Sequence, residues 1–312
     1  MVIQFRKYTR AGRKVSNLPS GLNGQLHLRD LLMYTGRPQF RISHMTQPRL
    51  RTSLIAFIAL ALAGALVALT FAKARGVFIK RAPAAIPRSE RLPRVILWAW
   101  ERPVDLHFID PNETGVAFLA RTIQISANEV VVRPRLQPLE LPDGASVIAV
   151  ARIETDKKRK PELSDFQTEK LIRAIAEMAK LPNVSNIQID FDATESERSF
   201  YRSVIFAVRK RVPTTVGLAI TALASWCTDD DWISDLPIDE AVPMLFRMGP
   251  DRVTIRNRLA SGDEFPARPC RSSYGIATDE PLLNLSAAKR LYVFNPDSWT
   301  ENSVRQIMDS RK

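Results

Sequence analysis

Eight short apolar segments recur between residues 94 and 295, and this recurrence constrains the fold of the chain more than any other feature. They read RVILWAW (94–100), GVAFLART (115–122), SVIAVARIE (146–154), NIQIDFD (186–192), TVGLAITAL (215–223), AVPMLFRM (241–248), SYGIAT (273–278) and RLYVFN (290–295). Runs of this length, rich in Val, Ile and aromatic residues, form strands. EVVVRP (129–134) follows the polar Ser126-Ala127-Asn128 turn and is expected to pair with the second segment as a hairpin. Helical patterns lie between several of the strands. Ser164 precedes one with Leu171, Ile172, Ile175 and Met178 on one side, and another carries Phe200, Val204, Ile205 and Val208 before Pro213 stops it. A short helix at Arg252–Ala260 ends near Gly262, and a last one opens at Thr300.

Eight strands alternating with helices or irregular segments are the grammar of an α/β fold, an irregular (β/α)8 TIM-like barrel. The crossovers after the first, second, fifth and seventh strands are expected to be short or non-helical. An open doubly wound sheet is the second fold to weigh, but no Gly-rich phosphate loop follows the first strand.

In a barrel, one face of each strand turns inward and the other packs on helices. Ile187, Ile189 and Phe191 suit the helix side, which turns Gln188, Asp190 and Asp192 inward, Asp192 at the C-terminal mouth. The third strand repeats this with Arg152 and Glu154 on one face. Adjacent strands lie about 4.8 Å apart, so Arg152 can pair with Asp190 and leave Glu154 and Asp192 at the mouth. Two mouth carboxylates suit glycoside hydrolysis, one of them protonated by burial and repulsion. The competing reading is a structural Arg–Asp network that catalyses nothing.

Other strand ends add candidates. Glu101, Asp190 and Asp279 are further choices for base or nucleophile, although Asp279-Glu280-Pro281 is also good loop chemistry. Trp100 and Trp226 suit stacking on sugar rings or plain packing. Arg152, Arg247 and Asn295 complete the expected substrate contacts, unless Arg247 pairs outside with Asp239 or Glu240. Asp229, Asp230 and Asp231 read as the start of a short helix. Three histidines (His27, His44, His107) give little material for zinc or His-based catalysis, and no cofactor is expected.

The net charge of +12 suggests nucleic acid until it is located. Residues 1–52 carry +9 and the remainder only +3, so nucleic-acid binding is not expected. Leu54 to Ala72 is uncharged and long enough to cross a bilayer, with the heavier basic excess before it. The chain therefore divides into a basic cytoplasmic or disordered arm (1–52), a transmembrane or signal segment (53–74), a linker (75–93) and the barrel (94–312). Ala72-Lys73-Ala74 is a possible signal-peptidase site, and Met45 a possible start of translation. The two cysteines, Cys227 and Cys270, form one disulfide or remain two buried thiols. The oligomeric state is left open.

The strings LWAWERPVDLHFID, GVAFLART, VVRPRLQPL, QIDFDATESERSFY, ITALASWC, DEAVPMLFRMG and LYVFNPDSWT resemble an uncharacterised bacterial family, the domain of unknown function 3142. The resemblance covers roughly Arg94 to Thr300 and implies no particular reaction. More distantly, QIDFDA is similar to the fourth-strand D-x-x-D-x-D-x-E signature of chitinase-like barrels. Asp190 and Asp192 match its inner aspartates, but Thr194 stands where the catalytic glutamate belongs. The resulting expectation is a bacterial inner-membrane protein whose barrel, periplasmic or extracellular, acts on an envelope or extracellular glycan. A glycan-binding or scaffold barrel is the alternative.

Overall fold

The structure, a computed structural model, describes residues 91–228, 230–281, 285–286 and 288–311, together with the two-residue strand Val2–Ile3. The apolar run 54–72, the arm with Met45, and the linker up to residue 90 lie outside the described residues, as does Asp229. Among the described residues no helix is long and apolar enough to cross a membrane.

Eight parallel strands close into a barrel: β1 (Val95–Ala99), β2 (Thr114–Ser126), β3 (Val147–Thr155), β4 (Val184–Asp190), β5 (Gly217–Leu223), β6 (Glu240–Met244), β7 (Ser273–Ala277) and β8 (Arg290–Phe294). Each pairs with its sequence neighbours, and β8 pairs with β1 to close the ring. All the neighbours are parallel, which excludes the open doubly wound sheet. Glu129–Pro134 returns antiparallel along the upper half of β2, as its two-residue turn requires. Val104–Asp105 and Leu139–Glu140 form a small parallel ladder beside the barrel.

Helices accompany only some of the crossovers. The α1 helix (Asp165–Ala176) links β3 to β4 and starts at Ser164, whose hydroxyl and Gln167 form a capping box. Between β4 and β5 runs α2 (Arg198–Arg211), which buries Phe200, Val204, Ile205 and Val208. A shorter α3 (Arg252–Ala260) joins β6 to β7, and α4 (Glu301–Asp309) follows β8 behind an N-cap at Thr300. The remaining crossovers use short 3-10 turns or irregular chain among the described residues, so the barrel is irregular where it was expected to be.

Strand alternation divides the core in two. Ile187, Ile189 and Phe191 of β4 and its exit pack outward against α1 and α2 residues such as Leu171, Ile175, Tyr201 and Val204. Inside, Ile96, Trp98, Ala117, Ile148, Val150, Val242 and Tyr292 fill the barrel. Toward its N-terminal end the interior is polar: buried Glu240 accepts from Arg290 at 2.8 Å and from the Tyr292 hydroxyl at 2.9 Å. Cys227 and Cys270 form a disulfide with their Cα atoms 5.9 Å apart, which decides between the two readings of these residues.

Candidate functional site

Where β3 and β4 leave the barrel, Arg152 and Asp190 stand directly opposite in the parallel register. That adjacency places a guanidinium beside a carboxylate, and they meet: Arg152 Nη1 donates to Asp190 Oδ2 at 2.7 Å. Asp190 is buried, and its other oxygen accepts from Thr221 Oγ1 of β5 at 2.8 Å. Arg152 Nε also donates to Glu154 Oε1 at 3.2 Å, and Nη2 lies 4.0 Å from Asp192 Oδ2. One arginine thus gathers three carboxylates. Arg152 is raised in pKa even though burial opposes its charge, because Asp190 above all, then Glu154 and Asp192, outweigh that desolvation.

Asp192 is the most loosely held member of the group, at the limit of ion-pair distance from Arg152. Its carboxyl is raised above the usual carboxylate range, first by desolvation, then by repulsion from Asp190, against the pull of Arg152. Half of its side chain still touches water (51 % exposed), because a concave wall can crowd a group with protein while leaving it open toward the mouth. Desolvation within the cleft is the largest of these three effects.

The cleft measures about 890 Å³, within the usual range for ligand sites. Trp98, Trp100, Phe246 and Phe294 form its apolar side. Trp98 of β1 and Trp100, just past its end, stack with ring centroids 6.0 Å apart, and Phe294 meets both edge-on. Phe246 stacks on Phe294 at 5.8 Å. Two guanidiniums cover these rings: Arg152 lies 5.6 Å from the Trp100 centroid, and Arg247 lies 5.6 Å from both Phe246 and Phe294. The result is an aromatic platform with carboxylates along one rim.

The expected site residues separate clearly. Asp190, Asp192, Glu154, Arg152, Trp100 and Arg247 all line the cleft. Asp279 does not; it accepts from Arg247 Nη2 at 2.8 Å, while Glu280 accepts from the Arg247 backbone N–H at 2.6 Å. Those bonds hold Arg247 in a left-handed conformation (φ 49°), a strained one for a residue with a side chain. Arg247 accordingly does not reach Asp239 or Glu240, which pair with Arg209 and Arg290. Trp226 is buried against Trp232, centroids 4.9 Å apart, so it packs in the core and offers no face to a ligand in the cleft. Asn295 is also buried and structural, accepting from Thr278 and donating to the Ser298 carbonyl. Glu101 is exposed and lines no part of the cleft; its charge acts on Arg135.

Thr194, at the position of the chitinase-like glutamate, caps the turn Glu195–Glu197: its N–H and hydroxyl both bond Glu197, at 2.8 and 2.7 Å. Asp230, from the acidic triplet, pairs with Arg198 at 2.6 Å.

Sequence reasoning passed over Trp98, Arg102 and Phe294, although the signal was present. Trp98 shares the inward face of Trp100 by simple alternation, and Phe294 that of Tyr292. Arg102 enters the mouth by donating to the Pro296 carbonyl at 2.6 Å, a loop contact that no periodicity encodes. Compared with known proteins, the chain matches no family model and no curated protein.

Proposed function

We propose that the barrel binds a carbohydrate chain across its mouth and hydrolyses it, with Asp192 as general acid and Glu154 as the second carboxylate. The observation that carries this is Asp192: a carboxyl held above its ordinary pKa, open to solvent, beside an aromatic platform suited to sugar rings. Asp190 is better suited to positioning than to chemistry, since both its oxygens are already bonded. Chitinase-type chemistry is not part of the proposal, because Thr194 is committed to a turn. The same reading makes the chain an exported protein of the family its strings resemble, held to the bacterial inner membrane through residues 54–72 and acting on envelope or extracellular polysaccharide. The Cys227–Cys270 bond supports an oxidising compartment.

A second reading, a glycan-binding barrel without turnover, is favoured by one fact: Arg152 engages all three carboxylates, as a structural network would. Asp192→Asn separates the two. After a screen of envelope and extracellular polysaccharides identifies a bound glycan, the enzyme reading expects D192N to lose at least about a hundredfold in turnover while binding persists. Unchanged turnover sinks the assignment of Asp192, and bound glycan without any turnover in the wild type favours the second reading.

The titration of Asp192 gives an independent sign. A carboxyl with a raised folded pKa contributes its full stability below the unfolded value, and loses it as pH rises through the folded one. D192N therefore melts no lower than wild type at neutral pH, and the gap narrows as pH falls through the raised folded value and has closed by about 4.

A further inference from the structure

The hairpin strand Glu129–Pro134 pairs with another strand on one side only, although Gln167 of α1 also donates to the Glu129 carbonyl at 3.2 Å. It pairs with β2 from Arg121↔Pro134 to Ser126↔Glu129, and among the described residues no strand pairs with its other edge. The two-residue turn makes Ser126 and Glu129 a hydrogen-bonded pair, and alternation then fixes every later position. Glu129, Val131 and Arg133 direct their backbone groups at β2; Val130 and Val132 direct theirs outward. The ladder's continuation confirms this parity, because Arg135 N–H donates to the Ala120 carbonyl at 3.0 Å. An edge with exposed apolar side chains is a template for another strand unless something protects it. Here Val131 is 45 % exposed and Val132 37 % exposed.

The sequence of this edge is complementary to itself. Glu129-Val130-Val131-Val132-Arg133 reads acid, three valines, base. When two copies run antiparallel with Val131 opposite Val131, Val130 of each meets Val132 of the other. Those are the residues with outward N–H and C=O groups, so four backbone hydrogen bonds form about the two-fold axis. Glu129 then stands directly opposite Arg133 twice, on the face they share with Val131. A register centred on Val130 or Val132 sets a charge against Val131 instead. Pro134 has no N–H, so the ladder ends where the complementary stretch ends. Today's partners of these charges are weak: Glu129 lies 3.6 Å from Arg159, both exposed, and Arg133 donates to Gln124 at 3.3 Å.

We infer that this edge pairs with the same edge of a second copy of the chain, forming a two-fold dimer through a continuous antiparallel ladder centred on Val131. Such a contact is isologous and closes on itself, so it yields dimers and not fibres. It lies on the β2 hairpin and uses no residue that lines the carboxylate cleft, so it stands whether or not the proposed function does.

The test uses the full-length chain in detergent, which keeps residues 54–72 covered, and reads molar mass by sedimentation. Glu129→Arg sets Arg against Arg across the axis, and Arg133→Glu sets Glu against Glu. Each is expected to weaken the dimer about tenfold or more. Mixing the two variants restores opposite charges at both positions and recovers a mixed dimer, and E129R/R133E in one chain recovers the homodimer. Val131→Cys, at a non-hydrogen-bonded pair on the axis, crosslinks two chains through a disulfide under mild oxidation. A monomeric wild type overturns the inference, as does a dimer that neither reversal weakens. So does a V131C variant that dimerises without crosslinking.

Discussion

Arg152 touches three carboxylates, and the consequences of removing it follow from how unequally they are buried. Asp190 is 1 % exposed and has no other cation within bonding distance among the described residues, whereas Arg152 is 31 % exposed and opens onto the cleft. Taking away the arginine strands a charge in the barrel; taking away the aspartate leaves an arginine that water can reach. Breaking a buried pair from its desolvated side costs about 3–5 kcal/mol. Arg152→Met is therefore expected to destabilise the barrel by about that much at pH 7, and Asp190→Asn by clearly less. Urea unfolding of both variants checks the order, and equal losses would remove the argument from burial. A tolerant R152M with normal stability would also show that Thr221 alone satisfies Asp190.

At the scale of elements, the end of β1 is shaped by a residue far along the chain. Arg135 is 1 % exposed, and its guanidinium donates to the carbonyls of Ala99, Trp100, Arg102, Gln137 and Pro138. Burial lowers its pKa to about 10, with the nearby charge of Glu101 acting the other way. A cation bonded to carbonyls fixes backbone, and the backbone it fixes carries Trp100 and Arg102 into the cleft. Arg135→Met leaves those carbonyls without their donor and is expected to cost roughly 2 kcal/mol or more. The emission of Trp98 and Trp100 should shift with it; an unaltered spectrum and melting temperature would deny Arg135 this role. Strand alternation made much of this region readable. The inward set of β4, the Arg152–Asp190 adjacency and the caps at Ser164 and Thr300 all follow from period, register and local chemistry. It ceased to be readable where strands end. The Ala224–Cys227 turn breaks the period of two after Leu223 and sends Trp226 into the core, away from the mouth. Asp279 was placed at a strand end correctly, but whether a loop carboxylate faces a cleft or an arginine depends on the neighbouring loop. Arg135 carries no periodic signal at all.

For the whole molecule, the weakest seam of the barrel lies between β6 and β7, whose register consists of the single pair Met244↔Gly275. By contrast β5 and β6 share five pairs, as do β7 and β8. The disulfide compensates at this place. Cys227 follows β5 and Cys270 precedes β7, so the bond reaches past β6 and ties its two neighbours together, and the Ala267 N–H reinforces it by donating to the Cys227 carbonyl at 3.3 Å. The closed loop spans 43 residues and includes Phe246 to Asp251, one wall of the cleft. Restricting a loop of that size in the unfolded chain stabilises the folded one by about 4 kcal/mol. Cys227→Ser/Cys270→Ser should lose that much in chemical unfolding, and reductant should bring wild type to the same value while leaving the variant unchanged. Because the loop carries Phe246 and Arg247, the variant should also be cleaved first between β6 and α3 under limited proteolysis. If full reduction of the wild type changes neither its unfolding midpoint nor that cleavage, β6 and β7 are held by packing and their short ladder, with Cys227 and Cys270 adding nothing to the seam.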